Sequence, residues 1–226
     1  ATPVIVRPTT RIAHVKGQVS PGEKTSSSVK PEIVKDAAKF VMLPGNAINR
    51  RKFVTERMEK LSEFSETFRE NRVEGGDGTR GFMSSGISYV YVKDAFPEAS
   101  VLKLGMVWPR PEKMIRSFAE QVDELFIVEE LDPFLELHIK AMGISCHGKD
   151  LIPAEGELNP AIIKKAITGE DSTQFAPVAL PPRPPNMCPG CPHRGLFYSL
   201  SKQKVFVAGD IGCYTLGFLP PLSSMD

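Results

Sequence analysis

At 226 residues the chain can bury a sizeable core as one large domain or two modest ones, and with 41% apolar and 24% charged residues it is neither disordered nor fibrous. Twenty-eight Lys and Arg against 27 Asp and Glu leave a formal net charge of +1, so electrostatics gives no case for nucleic acid or a membrane surface as a principal partner. No apolar run approaches the roughly 20 residues of a membrane helix, and residues 1–7 lack the basic-then-apolar layout of a signal peptide. The expected location is the cytoplasm. An apolar run begins at once without an initiator Met, and residues 220–226 close on no element, so the expectation is a piece of a longer polypeptide.

In chain order, residues 3–7 and 12–15 read as short strands joined by a turn at Thr9-Thr10-Arg11. Residues 20–31, rich in Ser, Lys and Pro, read as a loop, and residues 40–43 as a brief strand before Pro44-Gly45-Asn46. From 47 to about 72, Val54, Met58, Leu61 and Phe68 recur at helical intervals, with Phe53 and Phe64 widening the stripe. This predicts the longest helix, stopped by Glu74-Gly75-Gly76-Asp77-Gly78. Its stripe reads as core or interface rather than chemistry.

Strand and helix patterns then alternate. Strands are expected at 81–84, 101–107, 124–128 and 144–147, and helices at 87–96, 111–121 and 133–142. Such alternation argues for βαβ units and a parallel sheet covered on both faces, with right-handed crossovers. Residues 151–160 read as irregular and 161–168 as a short helix. Residues 174–185 hold five of the twenty prolines and read as a semi-rigid connector between domains. An amphipathic segment at 194–200 and a strand at 205–208 follow it.

Chemistry-bearing residues concentrate near the end, in Cys188-Pro189-Gly190-Cys191-Pro192-His193-Arg194-Gly195 and Gly209-Asp210-Ile211-Gly212-Cys213. A Cys-x-x-Cys pair can serve one metal ion, one iron–sulfur cluster or a disulfide, and Cys213 adds a third soft ligand suited to zinc or iron–sulfur. His193 is a candidate fourth ligand for zinc. The bland alternative is a tight turn with small buried thiols. A thioredoxin-type pair needs a preceding strand and a following helix that the pattern does not place correctly, and a stable disulfide is disfavoured in a cytosolic setting. Cys146 reads as an inert core thiol.

Asp210 sits between glycines at the expected carboxyl end of a strand, where open α/β sheets bind ligands, and Gly209 and Gly212 let the backbone approach a cofactor. Ordinary turn chemistry is the competing reading. Gly76-Asp77-Gly78 imitates the start of a thiamine diphosphate motif, but no Asn lies between Asn71 and Asn159 to complete it. Glu129 and Glu130, at a strand's carboxyl edge, are placed for catalysis or for simple solvation, the solvated pair being the favoured reading, and His14, His138 and His147 read as structural residues.

In combination, the Cys188–Gly195 and Gly209–Gly217 stretches resemble the large, thiamine-diphosphate-binding subunit of indolepyruvate ferredoxin oxidoreductases. Val6-Arg7-Pro8-Thr9-Thr10-Arg11, Ser85-Gly86-Ile87-Ser88-Tyr89, Leu102-Lys103-Leu104-Gly105-Met106, Val128-Glu129-Glu130-Leu131-Asp132-Pro133 and Gly156-Glu157-Leu158 follow that family's order. The resemblance implies an α/β fold, a transketolase C-terminal-like parallel-sheet domain flanked by partial thiamine-diphosphate-binding-fold domains. Its boundaries would be 1–46 for the end of the pyrimidine-type domain plus linker, 47–160 for the long helix and transketolase C-terminal-like domain, 161–185 for the connector, and 186–226 for the start of the diphosphate-type domain.

The implied reaction converts an arylpyruvate, coenzyme A and oxidised ferredoxin to aryl-acetyl-CoA, carbon dioxide and reduced ferredoxin, with a small (beta) subunit as partner. Implied cofactors are thiamine diphosphate, Mg2+ and a [4Fe-4S] cluster, incomplete in this chain. By the same analogy Gly209, Asp210, Ile211, Gly212, Cys213 and His193 border the cofactor, while Cys188, Cys191 and Cys213 are iron–sulfur ligands whose fourth partner lies later. Pro192-His193-Arg194 departs from the Gly-rich continuation of related pyruvate enzymes. The alternatives are a pyruvate- or other 2-oxoacid-specific enzyme, or a non-catalytic metal-stapled interaction module.

Overall fold

The computed structural model describes residues 4–8, 13, 15–23, 34–170, 179, 181 and 185–225. They divide into two units, Ala1–Asn159 and Pro160–Asp226. The first is built on a four-stranded sheet. Its elements are α1 (Ala37–Phe40), α2 (Pro44–Ser65), β1 (Arg72–Glu74), β2 (Arg80–Ser85), α3 (Gly86–Ala95), β3 (Ser100–Leu104), α4 (Glu112–Ala119), β4 (Glu124–Val128) and α5 (Phe134–Ala141). Strand order is β1-β3-β2-β4, parallel except for β1, which pairs antiparallel with β3. The chain is therefore a mixed α/β protein with a mostly parallel sheet.

The alternation of side chains along the strands divides the core in two. Met83 of β2 pairs in register with Leu102 of β3 and Ile127 of β4, and this face is closed by Ile115 and Phe118 of α4 and Leu135 and Ile139 of α5. One position earlier, Phe82 pairs with Val101 and Phe126, and its ring stacks on Phe96 at the end of α3. The crossover β2→β3 runs one way along the sheet and β3→β4 runs back past β2. Right-handed connections in opposite directions place α3 and α4 on opposite faces. The strands, buried on both sides, account for their nearly unbroken apolar runs.

Several sequence expectations are corrected. Residues 4–8 are irregular and exposed, because no strand among the described residues pairs with their backbone. The second expected strand, at 12–15, lies largely outside the described residues, as does most of the proline-rich connector. Residues 37–40 form a helical turn instead of the start of a strand, since Asp36 caps it by accepting a hydrogen bond from Lys39 N (3.1 Å). Helix α2 begins at Pro44, a residue suited to the first helical position, and ends at Ser65. The Gly-rich stretch is therefore not its stop but the β1–β2 connection, where Asp77 Oδ1 accepts from Thr79 N (3.1 Å). The expected strand at 144–147 reduces to a single parallel bridge between Phe126 and His147.

β1 is a short charged edge strand, an arrangement that discourages further pairing. Glu74 accepts from Tyr89 OH (2.6 Å) and is flanked by Arg72 (3.1 Å) and Lys93 (3.2 Å). The Tyr89 hydroxyl is the largest influence holding the Glu74 carboxyl below the usual glutamate range. Burial opposes it, while Lys93 and Arg72 reinforce it. A carboxyl depressed in the fold contributes stability above its unfolded pKa and loses that contribution as pH falls through the folded value. Tyr89→Phe is therefore expected to move the Glu74 titration upward and to make acid unfolding begin at higher pH. Carboxyl NMR titration of both proteins checks this, and an unmoved Glu74 would rule it out.

The second unit contains α6 (Pro160–Thr168), α7 (Pro192–Gln203) and a 3-10 turn at Cys213–Phe218. Phe197 of α7 is its buried anchor in the second half, packing where Gly217 leaves room. Lys204, left-handed at φ 53°, ends α7. Residues 205–208 are irregular rather than a strand. Phe206 is 79% exposed, and the four-stranded sheet does not include this segment.

Candidate functional site

The Cys188–Cys191 segment is a hydrogen-bonded turn. Cys191 N–H donates to Cys188 O (3.1 Å), Pro189 and Gly190 occupy the central positions, and Gly190 has φ +77°. Proline followed by a left-handed glycine is the signature of a type II turn. Cys191 is the N-cap residue of α7, whose first residue is Pro192, so the helix follows the Cys-x-x-Cys pair directly instead of beginning near 194. Arg194 holds the turn from behind by donating from Nη1 to Met187 O (3.2 Å).

His193, within the Cys188–Gly195 stretch, also neighbours the Gly209–Gly217 stretch. Its Nδ1 is 3.5 Å from Cys191 Sγ, and its ring is 5.5 Å from that of Tyr214, in the loop carrying Asp210 and Cys213. That loop is tied to itself. Asp210 Oδ1 accepts from Ile211 N (2.7 Å), Oδ2 accepts from Tyr214 OH (3.3 Å), and Asp210 O accepts from Thr215 Oγ1 (3.0 Å). Gly212 N–H donates to Thr215 Oγ1 and Gly212 O accepts from Thr215 N, both at 3.0 Å. Tyr214 and Thr215 were not singled out from sequence; a hydroxyl pair within five residues of an exposed Asp is the signal that marks them.

Neither implied group finds a complete site here. Among the described residues no three His, Cys, Asp or Glu side chains are grouped to hold a metal ion. Cys188 and Cys213 are exposed and Cys191 is half-buried, all as free thiols. At Gly209 the backbone does come close to another group, but that group is Met225, whose side chain fills the space a Cβ would take. The cavity beside the turn, lined by Met187, Arg194, Leu216 and Leu219 among others, measures about 170 Å3. Ligand pockets begin at roughly 300 Å3. These residues alone do not fit thiamine diphosphate or an iron–sulfur cluster.

In the first unit, Glu129 is half-buried rather than solvated. Its carboxylate accepts from Leu135 N (2.9 Å) and Glu136 N (3.0 Å), capping α5 from a distance. Burial raises its pKa against these two bonds and the Lys149 charge. Lys149 Nζ donates to Glu129 O, and burial lowers its pKa. Cys146 is half-buried, its thiol pushed up to about 11 chiefly by burial. His147 pairs with Asp150 (2.7 Å) and stacks on Phe126, while His138 packs against Trp108 and Phe134. His14 lies outside the described residues.

No helix among the described residues is long and apolar enough to cross a membrane. No protein-family model matches the chain. A 2-oxoglutarate:ferredoxin oxidoreductase from Magnetococcus marinus, solved with 2-oxoglutarate, coenzyme A and succinyl-CoA bound, superposes with a TM-score of 0.45 at 17% identity, over 57% of this chain and 24% of its own. Curated relatives include proteins named indolepyruvate oxidoreductase subunit IorA from Thermococcus kodakarensis (35% identical), Archaeoglobus fulgidus (34%) and Methanothermobacter marburgensis (34%). The matches take in 99% of this chain but only 40%, 40% and 41% of those proteins. The resemblance read from the sequence thus holds along the whole chain: it is a relative of the IorA subunits of indolepyruvate oxidoreductases, and it spans about 40% of their length.

Proposed function

We propose that the chain is part of a thiamine-diphosphate-dependent arylpyruvate ferredoxin oxidoreductase, the enzyme that decarboxylates an arylpyruvate and passes the electrons through iron–sulfur clusters to ferredoxin. The observation that carries this is the 33–35% identity to IorA subunits over 99% of the chain. In this reading residues 1–46 and 186–226 belong to two thiamine-fold domains, 47–160 to the transketolase C-terminal-like domain between them, and 161–185 to the connector. Thiamine diphosphate would supply the electron sink for decarboxylation, with Mg2+ holding its phosphates. The loop Gly209 to Cys213 and His193 would border it, and Cys188, Cys191 and Cys213 would give thiolates to a [4Fe-4S] cluster. Those sulfurs are not grouped in the present conformation, so gathering them requires the rest of the subunit. A small (beta) subunit, ferredoxin and coenzyme A are the expected partners, and the cytoplasm is the expected location.

The test uses the full-length subunit that contains this chain, co-produced anaerobically with its small subunit. Ferredoxin reduction is expected with indolepyruvate only when coenzyme A and thiamine diphosphate are both present. The isolated 226-residue chain should show no tight calorimetric binding of thiamine diphosphate with Mg2+. Reduction with pyruvate or 2-oxoglutarate but not arylpyruvates would move the substrate class, and a zinc-containing, inactive complex would overturn the reading in favour of a stapled interaction module.

A further inference from the structure

We infer that the first turn of α3 is an oxyanion site that takes a phosphoryl group, held by the N–H groups of Gly86, Ile87 and Ser88 and by the hydroxyls of Ser85 and Ser88. All of these groups belong to the first unit, and the site does not depend on the enzyme reading. Strand β2 ends at Ser85 and α3 begins at Gly86, so strand passes into helix without a loop. From β2 the sheet grows in one direction to β3 and in the other to β4, with α3 and α4 on opposite faces. The carboxyl end of β2 is therefore the switch point at which open α/β sheets take ligands. Gly86, with φ +55°, makes the junction, and no atom lies within 4 Å of the place a Cβ would occupy there. A ligand can approach the backbone at this point.

Every helix starts with N–H groups that have no partner inside it and with the positive end of its dipole. At two helices of this unit the chain itself supplies the anion. The Glu129 carboxylate accepts from Leu135 N and Glu136 N at α5, and the Glu66 carboxylate accepts from Lys113 N and Met114 N at α4. At α3 the N-cap residue Ser85 makes no side-chain cap bond, and no acidic residue stands in the first turn to repel an incoming anion. The independent sign of a ligand is Ser88. It is 3% exposed, yet its hydroxyl has no hydrogen-bond partner among the described residues, whereas buried hydroxyls normally have one. Ser88 stands at the third helical position, and helical side chains lean towards the N-terminus, so its hydroxyl is directed into the same turn as the uncapped amides. Ser84 shows the contrast: it is 0% exposed and donates to Val128 O (2.7 Å), committed to the sheet. The first turn of α3 thus offers donors only, which suits the three acceptor oxygens of a phosphoryl group.

The test uses the full-length subunit that contains this chain, co-produced with its small subunit and dialysed to equilibrium against radiolabelled inorganic phosphate at constant ionic strength. Phosphate held elsewhere in the complex is common to parent and variants, so the comparison isolates this site. Ser85→Asp puts a carboxylate at the N-cap, where it occupies the first-turn amides itself and repels an anion. It is expected to remove one bound phosphate per subunit without lowering the melting temperature. Ser88→Ala is expected to weaken that phosphate about tenfold, the scale of one hydrogen bond to a charged group. Adenosine monophosphate as competitor separates the two sources of the same chemistry. Displacement of the label assigns the site to a phosphorylated small molecule, and retention of the label assigns it to free phosphate. A parent that binds no phosphate, a Ser85→Asp variant that keeps its full complement, or a Ser88→Ala variant with unchanged affinity would each overturn the inference.

Discussion

Phe82→Ala is expected to destabilise the first unit by about 3–5 kcal/mol, the usual cost of emptying a large aromatic site in a packed core. Phe82 is 0% exposed on the central strand β2, with its ring 4.9 Å from Phe96 and 5.4 Å from Phe126. Those two contacts join the end of α3 to β4 across the sheet, so their loss is not confined to one neighbour. A backbone flanked on both sides by parallel strands has little freedom to collapse into the void. The chain has a single tryptophan, Trp108, placed after β3, and its fluorescence reports unfolding of this unit alone. Phe53→Ala is the matched control: Phe53 is 48% exposed on α2, with Arg50 and Arg57 over its ring, and should change stability by less than about 0.5 kcal/mol. Urea denaturation that finds Phe82→Ala within 1.5 kcal/mol of the parent, a value well below the range for such sites, would refute the packing account.

The sheet could be read from the sequence because its information is local. The 80–85, 100–104 and 124–128 runs are buried on both faces, so each is a short apolar block, and the helices between them show their stripes within a dozen residues. Elements whose signal is not local were missed. β1 is Arg72-Val73-Glu74, three residues whose charged ends look like solvent-facing helix and acquire meaning only beside Lys103 and Tyr89. The expected strand at 205–208 failed for the converse reason: Val205, Phe206 and Val207 carry strand propensity, but propensity alone does not place a segment in a sheet.

The candidate site was readable as a list of residues and not as an arrangement. Cys188, Cys191, His193 and the Asp210 loop were marked because rare residue types crowd there, and His193 does sit beside both Cys191 and Tyr214. What spacing could not reveal is how that chemistry is used locally. Asp210 spends its oxygens on Ile211 and Tyr214, and the room at Gly209 is taken by Met225, sixteen residues on in the sequence. Glu129 was read as solvated because its partners are backbone N–H groups, which every sequence contains and no sequence displays.

Asn71→Ala is expected to cost about 2–4 kcal/mol, although the residue has no apolar surface to lose. Asn71 is 4% exposed; its amide donates to Ser65 O (2.8 Å), at the last residue of α2, and its carbonyl accepts from Met106 N (2.8 Å), just past β3. Removing the side chain leaves two backbone groups without their partner, and each such buried group costs about 1–3 kcal/mol. Glu66, the next residue after α2, makes a parallel connection by accepting from Lys113 N (2.9 Å) and Met114 N (3.1 Å) at the start of α4. The end of the long helix is thus fastened at two points to the chain that leaves β3. Glu66→Ala should cost about 1 kcal/mol, as lost helix caps do. Because both residues hold the same corner, the double variant should depart from additivity by at least 0.5 kcal/mol, the scale expected for residues sharing a network. Additive losses would mean two independent caps, and Asn71→Ala costing less than 1 kcal/mol would mean that water replaces its amide, since exposed groups recover most of a lost hydrogen bond. Urea unfolding of the three variants, followed through Trp108, separates these outcomes.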